Sequence, residues 1–424
     1  MTLARALVVS LAVALAGTAP RQEAGVVRVT VDPAVRHQTI AHFGVSWRTF
    51  DDPHLFETRD PATGRPRTRM AAAEEDAVFD LLFGPALQLR HLRLVTDGNI
   101  EVSRGRFTFE DRFDVLVDDA LRARARGPVT VALTVGRYPP EKWMRGTVRE
   151  YADYFVALVE RARSRGLLVD YLVMNEPRID GPLIRDIVKA VGRRVPDTIT
   201  WAVTDEVKPS RAIAKLPAIL EDADARRHVA AISVHLYHER DPAGSLAAVR
   251  ELADRYGLPL WMTEYSGGPW GWAALQTELL TTYRMSSVSY MWGFFGAWDG
   301  AHLVAGVTDE EGRYQGMRPL KVASVFAHWS RFVPPGSTRI EATSTAPDVM
   351  VSAFDTPEAR VVVVFNRGGT RRVELQVPGA RQLSGVRTTN AEDLADTGRT
   401  PLEGGRATVT LPARSLTTFV GAKS

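Results

Sequence analysis

Residues 151–177 read YADYFVALVERARSRGLLVDYLVMNEP and combine a helical pattern with a strand. Apolar residues recur at three- and four-residue spacing through Val148–Arg165, which predicts an amphipathic helix. The short apolar run Tyr171–Asn175 follows and predicts a buried strand. A helix that leads into a strand is the repeating unit of folds with a parallel sheet.

The same unit recurs on both sides of this stretch. Further helical patterns cover Ala71–Phe83, Asp114–Arg126, Leu183–Arg194 and Ser245–Tyr256. Eight such units predict a closed (β/α)8 barrel, a TIM barrel, over residues 38–330. The eight candidate strands are Ile40–Trp47, Leu89–Val95, Val129–Val135, Tyr171–Asn175, Ile199–Val203, Ala231–His235, Leu260–Glu264 and Val288–Trp292.

The pattern changes at about Gly336, where short strands follow one another without helices between them. Turn residues separate these strands, which predicts a small antiparallel β-sandwich over residues 331–424. A strand at residues 26–35 precedes the barrel, and we expect it to complete the sandwich. The candidate sandwich strands are Ile340–Ala342, Val349–Phe354, Val361–Phe365, Arg372–Val377, Ala407–Leu411 and Thr417–Val420.

The amino terminus has the pattern of a secretory signal. Residues 1–20 read MTLARALVVSLAVALAGTAP, with a basic Arg5, an apolar core and small residues after it. The alternative is a membrane anchor, but the apolar run is shorter than a bilayer span requires. We therefore predict a signal peptide over residues 1–19 and a secreted, extracellular or periplasmic, protein.

Composition excludes several classes of protein. The 424 residues are 45% hydrophobic and 24% charged, which is typical of a soluble globular chain. The absence of cysteine excludes disulfides, thiolate metal sites and a cysteine nucleophile. The net charge is only +3 and no long basic run stands out, so we expect no nucleic-acid partner. Phosphate-loop, zinc-protease and serine-hydrolase motifs are missing, so we expect no cofactor and no metal.

Two candidate strands end in glutamate. Glu176 follows the fourth strand in DYLVMNEP, and Glu264 ends the seventh in LPLWMTEYSGG. In a barrel enzyme the active site lies at these carboxyl ends. Each glutamate alone fits a helix cap or a structural ion pair equally well. Both together in one barrel indicate glycoside hydrolysis, which uses one protonated and one ionised carboxyl group.

Five motifs occur along the chain in this order: HQTIAHFGVSW (37–47), PPEKWM (139–144), NEP (175–177), WMTEYS (261–266) and KVASVFAHWSRFVPPGSTRI (321–340). In these motifs the chain resembles glycoside hydrolase family 30, in the clan of retaining β-glycosidases with catalytic strands four and seven. The resemblance covers nearly the whole mature chain. It implies a retaining β-glycosidase that cleaves xylans, β-1,6-glucans, β-1,6-galactans or glucosylceramide-like substrates.

The resemblance assigns a role to five residues near the strand ends. Glu176 would be the acid/base and Glu264 the nucleophile, which forms a covalent glycosyl-enzyme. Asn175 would bind the sugar 2-hydroxyl, and Arg93 would keep the nucleophile ionised. Tyr237 would donate to Glu264.

Other residues have more than one interpretation. His235 would line the sugar site or be hydrogen-bonded core, and its partner in a metal pair, His238, should point the other way along the strand. Trp292 or Trp298 would stack on the sugar. Trp261 is expected to pack, whereas Trp270 and Trp272 fit either helix core or a substrate wall. Arg137 lies in TVGRYPP, where family members often carry an aromatic residue, and fits either a sugar contact or the surface.

Two alternative functions share these residues: a barrel that binds carbohydrate without turnover, and a transglycosidase. The expected partner is a β-linked oligo- or polysaccharide, with no stable membrane insertion and a monomeric chain. Short loops such as DEVKPSR favour an open, endo-acting cleft over a closed pocket.

Overall fold

A computed structural model describes residues 25–47, 55–59, 63, 66–96, 98–136, 138–295 and 301–423 of the chain. The predicted signal peptide lies outside these residues. The described strands, in chain order, are β1 (Val27–Thr39), β2 (His42–Trp47), β3 (Glu57–Arg59), β4 (Pro66–Arg69), β5 (His91–Thr96), β6 (Glu101–Ser103), β7 (Arg106–Phe107), β8 (Thr130–Val135), β9 (Tyr171–Met174), β10 (Thr200–Glu206), β11 (Val229–His235), β12 (Leu260–Tyr265), β13 (Met285–Tyr290), β14 (Trp292–Phe295), β15 (His302–Thr308), β16 (Tyr314–Pro319), β17 (Thr338–Ser344), β18 (Val349–Asp355), β19 (Ala359–Asn366), β20 (Arg371–Gln376), β21 (Gln382–Thr388), β22 (Ala395–Pro401), β23 (Arg406–Leu411) and β24 (Ser415–Ala422).

Helices lie between most of the barrel strands. A capping box begins α3, because Thr147 Oγ1 accepts from the Glu150 amide and Glu150 accepts from the Thr147 amide. None of the helices in the described ranges is long and apolar enough to cross a membrane. The helices are α1 (Ala72–Phe83), α2 (Val115–Arg124), α3 (Val148–Ser164), α4 (Gly181–Gly192), α5 (Pro209–Leu220), α6 (Ala223–Arg226), α7 (Pro242–Tyr256), α8 (Trp270–Thr282) and α9 (Lys321–Ser330).

The parallel barrel predicted from the repeated units is confirmed. Its strands close in the order β2-β5-β8-β9-β10-β11-β12-β13. Every residue of β2, β5 and β12 is buried, because the barrel interior covers one face and the helices cover the other. The observed strand limits differ from the predicted ones by a few residues, since the apolar pattern continues into the flanking turns.

Interior side chains alternate along each strand and form layers inside the barrel. At the amino-terminal end, the rings of His42 and His91 stack at 4.0 Å, and Trp261 meets His42 edge-on at 4.9 Å. Trp261 therefore packs inside the barrel, as the sequence suggested. Gly44 lies in the next layer, where a Cβ atom would come within 2.5 Å of the His91 carbonyl oxygen. Strands β2 and β5 can therefore approach each other this closely because Gly44 has no side chain.

The carboxy-terminal strands and β1 form one nine-stranded sheet that makes up the sandwich. Its order is β22-β21-β24-β19-β18-β17-β1-β20-β23. Strand β1 runs antiparallel to β17 and parallel to β20. The sequence pattern did not reveal β21 and β22, because most of their side chains are exposed or partly exposed and few are apolar.

The run of valines in β19 shows how the sandwich lies on the barrel. Val362 and Val364 belong to the core inside the sandwich, whereas Val361, Val363 and Phe365 belong to the core shared with the barrel. Both faces of β19 are therefore buried, which explains why the strand reads as a continuous apolar run.

One predicted barrel strand covers parts of two strands in the structure. The eighth barrel strand is Met285–Tyr290, so it ends before Trp292. Trp292 begins β14, which pairs with β15 in a separate small sheet beside the barrel. The predicted strand Val288–Trp292 merged the end of one strand with the start of another, because the apolar residues continue across the turn.

Candidate active site

Glu176 and Glu264 lie together at the carboxyl end of the barrel. Glu176 follows β9 and Glu264 lies near the end of β12. An oxygen of each carboxylate and a ring nitrogen of His235 all lie within 4.8 Å of one another. The Glu264 side chain is only 8% exposed, whereas that of Glu176 is 42% exposed. One carboxylate is thus enclosed and the other faces the cleft.

Arg93 lies beneath the two glutamates on β5 and has no solvent exposure. It projects into the barrel, and its Nη1 donates to Glu264 Oε2 at 2.8 Å and to Ser46 Oγ at 3.0 Å. Its Nη2 donates to Asn175 Oδ1 at 2.5 Å and to Asp205 Oδ2 at 2.7 Å. The sequence placed Arg93 beside Glu264, and the structure shows that contact.

Asp205 was missed by the sequence analysis. It lies near the end of β10, is fully buried, and accepts hydrogen bonds from Arg93 and from the Thr263 hydroxyl. Burial alone would raise the pKa of Asp205, but the positive charges of Arg93 and His235 hold it far below the usual range. The available signal was the same one that identified the glutamates, a carboxylate where an apolar strand ends.

His235 connects Asp205 to Glu176. Its Nδ1 lies 3.3 Å from Glu176 Oε1, and its Nε2 lies 3.4 Å from Asp205 Oδ2. Burial alone would lower the pKa of His235, but the charges of Asp205 and Glu264 raise it to about 9. The ring has no exposure, so of the two interpretations of His235 the structure favours a hydrogen-bonded core residue, which contacts Glu176 from below.

The ionised form of Glu176 is favoured in this arrangement. The hydrogen bond with His235 lowers the pKa of Glu176, although partial burial acts in the opposite direction. Glu176 has a positive φ of 49°, and its amide donates to the Asp205 carbonyl at 2.9 Å. The backbone of β10 therefore helps to hold Glu176 in the cleft.

Asn175 and Tyr237 also lie at this end of the barrel. Asn175 uses its Oδ1 to accept from Arg93, and its Nδ2 has no protein partner among the described residues. A donor group therefore remains for a sugar hydroxyl. Tyr237 was expected to donate to Glu264. Its phenol oxygen lies instead 3.5 Å from Ser266 Oγ.

One of the two predicted stacking platforms, Trp292, does not reach the site. Trp292 is 1% exposed and packs with Val95 and Ala301, so it has no free ring face to offer a sugar. Its burial follows from its position in β14, whose small sheet lies outside the barrel. Trp298 and Arg137 lie outside the residues that the structure describes.

A cleft of about 480 Å³ opens beside Glu176. One wall is the segment after β8, where Tyr138 donates to the Val135 carbonyl at 2.7 Å. Tyr138 is a second residue that the sequence analysis missed. It follows Arg137, in the segment where family members often carry an aromatic residue, and it places an aromatic ring in the cleft wall. The lining residues are Gly136, Tyr138, Pro139, Pro140, Lys142, Asn175, Glu176 and Arg178.

The Glu176, His235 and Glu264 group also has the spacing of a metal site. A metal ligand needs an unprotonated ring nitrogen, and a pKa of about 9 keeps His235 protonated at neutral pH. Glu264 is already neutralised by Arg93 at 2.8 Å. These charges favour a site that acts through its carboxyl groups.

Part of the chain matches a known protein family. The model for the glycosyl hydrolase family 30 β-sandwich domain matches residues 336–419. The glucuronoxylanase XynC of Bacillus subtilis is 30% identical over 210 residues, which cover 48% of this chain and 48% of that protein. The matched part thus spans about half the length of that relative.

Solved structures show the same fold over nearly the whole chain. The family 30 subfamily 8 xylanase Xyn30A of Clostridium acetobutylicum has a TM-score of 0.74 at 22% identity and covers 94% of this chain and 100% of its own. An endo-β-1,6-glucanase has a TM-score of 0.67 at 17% identity and covers 94% of each chain. At these identities the likeness concerns the fold alone, whereas residues 336–419 match the β-sandwich domain of glycosyl hydrolase family 30.

Proposed function

We propose that the protein is a secreted retaining β-glycosidase that cleaves β-linked polysaccharides. The observation that carries this proposal is the separation of the two catalytic candidates, since carboxylate oxygens of Glu176 and Glu264 lie within 4.8 Å of each other. Retaining enzymes hold their carboxyl groups about 5–5.5 Å apart, whereas inverting enzymes need about 6.5–9.5 Å to admit a water. The short separation favours direct attack by one carboxylate.

In the first step Glu264 attacks the anomeric carbon while Glu176 protonates the leaving oxygen. The enclosed Glu264 is held by Arg93, which fixes its orientation and supports its charge. Glu176 needs a proton for this step, and its carboxyl is 42% exposed before substrate binds. A bound sugar would cover that carboxyl, and loss of water raises a carboxyl pKa towards the protonated form.

In the second step Glu176 acts as the base that activates a water. The glycosyl-enzyme ester removes the negative charge of Glu264, so one nearby anion no longer opposes ionisation of Glu176. The hydrogen bond from His235 then favours the carboxylate form of Glu176. The same pair of residues can thus serve as acid and then as base.

The relatives support a proposal for the substrate class. The curated relative is a glucuronoxylanase, and the solved neighbours include a xylanase and an endo-β-1,6-glucanase. We therefore propose a xylan or a β-1,6-glucan as substrate and internal cleavage of the polymer. Export through the amino-terminal signal would bring the enzyme to such substrates.

Two variants test the mechanism on a panel of β-linked polymers and aryl glycosides. Glu264→Ala should lose nearly all turnover, and azide should restore it with an α-linked azide product. Glu176→Ala should retain activity on aryl glycosides with good leaving groups far better than on polymers. Near-normal activity of Glu264→Ala contradicts the proposal. Binding without hydrolysis by the wild type indicates a carbohydrate-binding barrel, and dominant sugar transfer indicates a transglycosidase.

A further inference from the structure

A second recess lies where the barrel meets the sandwich. It has a volume of about 330 Å³ and is formed by the start of α8 together with loops of the sandwich sheet. We call it the junction recess and define it by Trp270, Trp272, Phe365, Arg367, Asn390 and Arg414. Trp272 is 47% exposed, more than any other large aromatic side chain in the described ranges.

The recess is held in shape by contacts between the two domains. Trp270 Nε1 donates to Asn390 Oδ1 at 2.7 Å, and the Trp270 ring meets Phe365 edge-on at 6.3 Å. Trp270 is therefore occupied with the domain contact, whereas Trp272 faces the solvent. Trp272 has the exposed aromatic surface that a ligand can use.

The recess is linked to the catalytic end of the barrel by the segment that follows β12. Ser266 follows β12 directly and lies beside Tyr237, and Gly268 comes two residues later with a positive φ of 74°. A Cβ atom on Gly268 would lie 2.7–2.9 Å from atoms of Trp272, so the indole rests directly on this glycine. Two residues span at most about 7 Å, so Trp272 lies close to the carboxyl end of β12, the strand that carries Glu264.

The charged residues of the recess suit a hydroxyl-rich ligand. The guanidinium groups of Arg367 and Arg414 have no ion-pair or hydrogen-bond partner among the described residues, and both residues are exposed. Each guanidinium offers several donors in a fixed plane. An exposed indole face with donors at its side can stack on the apolar face of a sugar ring while the donors bind its hydroxyl groups.

We propose that the junction recess is a distal subsite for the glycan polymer that the catalytic cleft cleaves. It binds a sugar unit remote from the scissile bond, with Trp272 as the stacking surface and Arg367 and Arg414 as donors. This inference rests on the proposed function. The junction recess would increase the affinity for polymers, which are long enough to reach it, but not for short substrates.

Binding can be measured independently of hydrolysis. Affinity electrophoresis of the full chain in gels that contain glucuronoxylan or the β-1,6-glucan pustulan reports polymer binding directly. Trp272→Ala should weaken binding about threefold to tenfold, as expected for the loss of one aromatic stacking contact. Tyr283→Ala is the matched control, because Tyr283 is a 36% exposed aromatic at the other end of α8. Equal retardation of Trp272→Ala and wild type overturns the proposal.

Kinetics separate this subsite from the catalytic site. Trp272→Ala should raise KM on the polymer by about the same factor while leaving an aryl β-glycoside unaffected, and Trp272→Phe should restore most of the loss. Equal losses on polymer and aryl glycoside overturn the subsite but leave the glycosidase standing. If no substrate is hydrolysed, the glycosidase proposal fails and the gel result still decides the subsite.

Discussion

Arg93 and Asp205 form an ion pair of 2.7 Å, and neither side chain has any solvent exposure. A buried pair of this kind is favourable only when further hydrogen bonds satisfy both groups. Arg93 meets this condition through Glu264, Asn175 and Ser46. The pair thus organises the site from below, because one guanidinium fixes the positions of Glu264 and of Asn175 beside Glu176.

Arg93→Lys tests whether this fork of donors is needed. A lysine offers one ammonium in place of a planar fork, so it cannot reach Asp205, Glu264 and Asn175 together. We expect kcat to fall by on the order of a hundredfold or more, and the free energy of unfolding by about 3–5 kcal/mol. Steady-state kinetics and urea unfolding measure the two effects.

The matched control for this substitution is Arg28→Lys in the sandwich. Arg28 pairs with Glu374 at 3.2 Å, but its side chain is 63% exposed. Exposed pairs contribute about 0–1 kcal/mol, so both activity and stability should stay close to those of the wild type. Similar results for the two lysine variants would show that Arg93 has no special role.

Asp205→Asn should shift the pH profile of kcat/KM. Without the Asp205 charge the pKa of His235 falls, and Glu176 then loses the positive charge that favours its ionised form. The pKa of Glu176 therefore rises, and the basic limb of the profile should move to higher pH if Glu176 is the general acid. An unchanged basic limb would remove Asp205 from this role.

Glu206→Gln is the control for the loss of a buried carboxylate from the same strand. Glu206 follows Asp205 directly but is bound by Lys215 and not by Arg93 or His235. This variant should lose stability without moving either limb of the pH profile. A shift in both variants would show that general destabilisation, and not the charge of Asp205, changes the profile.

His235 should make the stability of the protein fall as the pH rises. The pKa of His235 is about 9 in the folded state, above its ordinary value of 6.5. The folded state therefore binds the extra proton between these values, and its stabilisation, roughly 3 kcal/mol, is complete below pH 6.5 and lost as the pH passes 9. Urea unfolding from pH 6 to pH 10 should show this decline in the wild type but not in His235→Gln.

His328 provides the opposite case within the same chain. Burial lowers the pKa of His328 to about 3, so the unfolded state binds the extra proton between pH 3 and 6.5. His328 should therefore destabilise the fold as the pH falls through that window. Identical pH dependence of stability in the His235→Gln and His328→Gln variants would contradict the assignment of both shifts.

Gly44→Ala tests the close approach of two barrel strands. The new methyl group would meet the backbone of His91 at 2.5 Å, so the strands must move apart. We expect a loss of about 1–3 kcal/mol, the usual range for overpacking. Gly25→Ala is the control, since nothing lies within 4 Å of the added Cβ and stability should not change measurably. Equal urea midpoints for both variants would contradict the packing argument.

The barrel and its two glutamates were accessible from the sequence because both have local signals. Buried strands read as apolar runs whatever their neighbours, and Glu176 and Glu264 stand where two such runs end. Strands β21 and β22 had no such signal, since most of their residues are exposed or partly exposed. The fold class could therefore be predicted from the core-facing residues alone.

Asp205 and Glu206 show what could not be predicted from the sequence alone. Two adjacent carboxylates end the same strand, and the closed barrel directs Asp205 inward to Arg93 while Glu206 meets Lys215. Trp292 and Trp272 differ in the same way, since one is 1% and the other 47% exposed. The sequence determines the residue types and the approximate strand positions. Whether a side chain points into the site or away from it depends on partners from distant segments. Only the tertiary structure brings those partners together, and so it decided which polar and aromatic residues form the site.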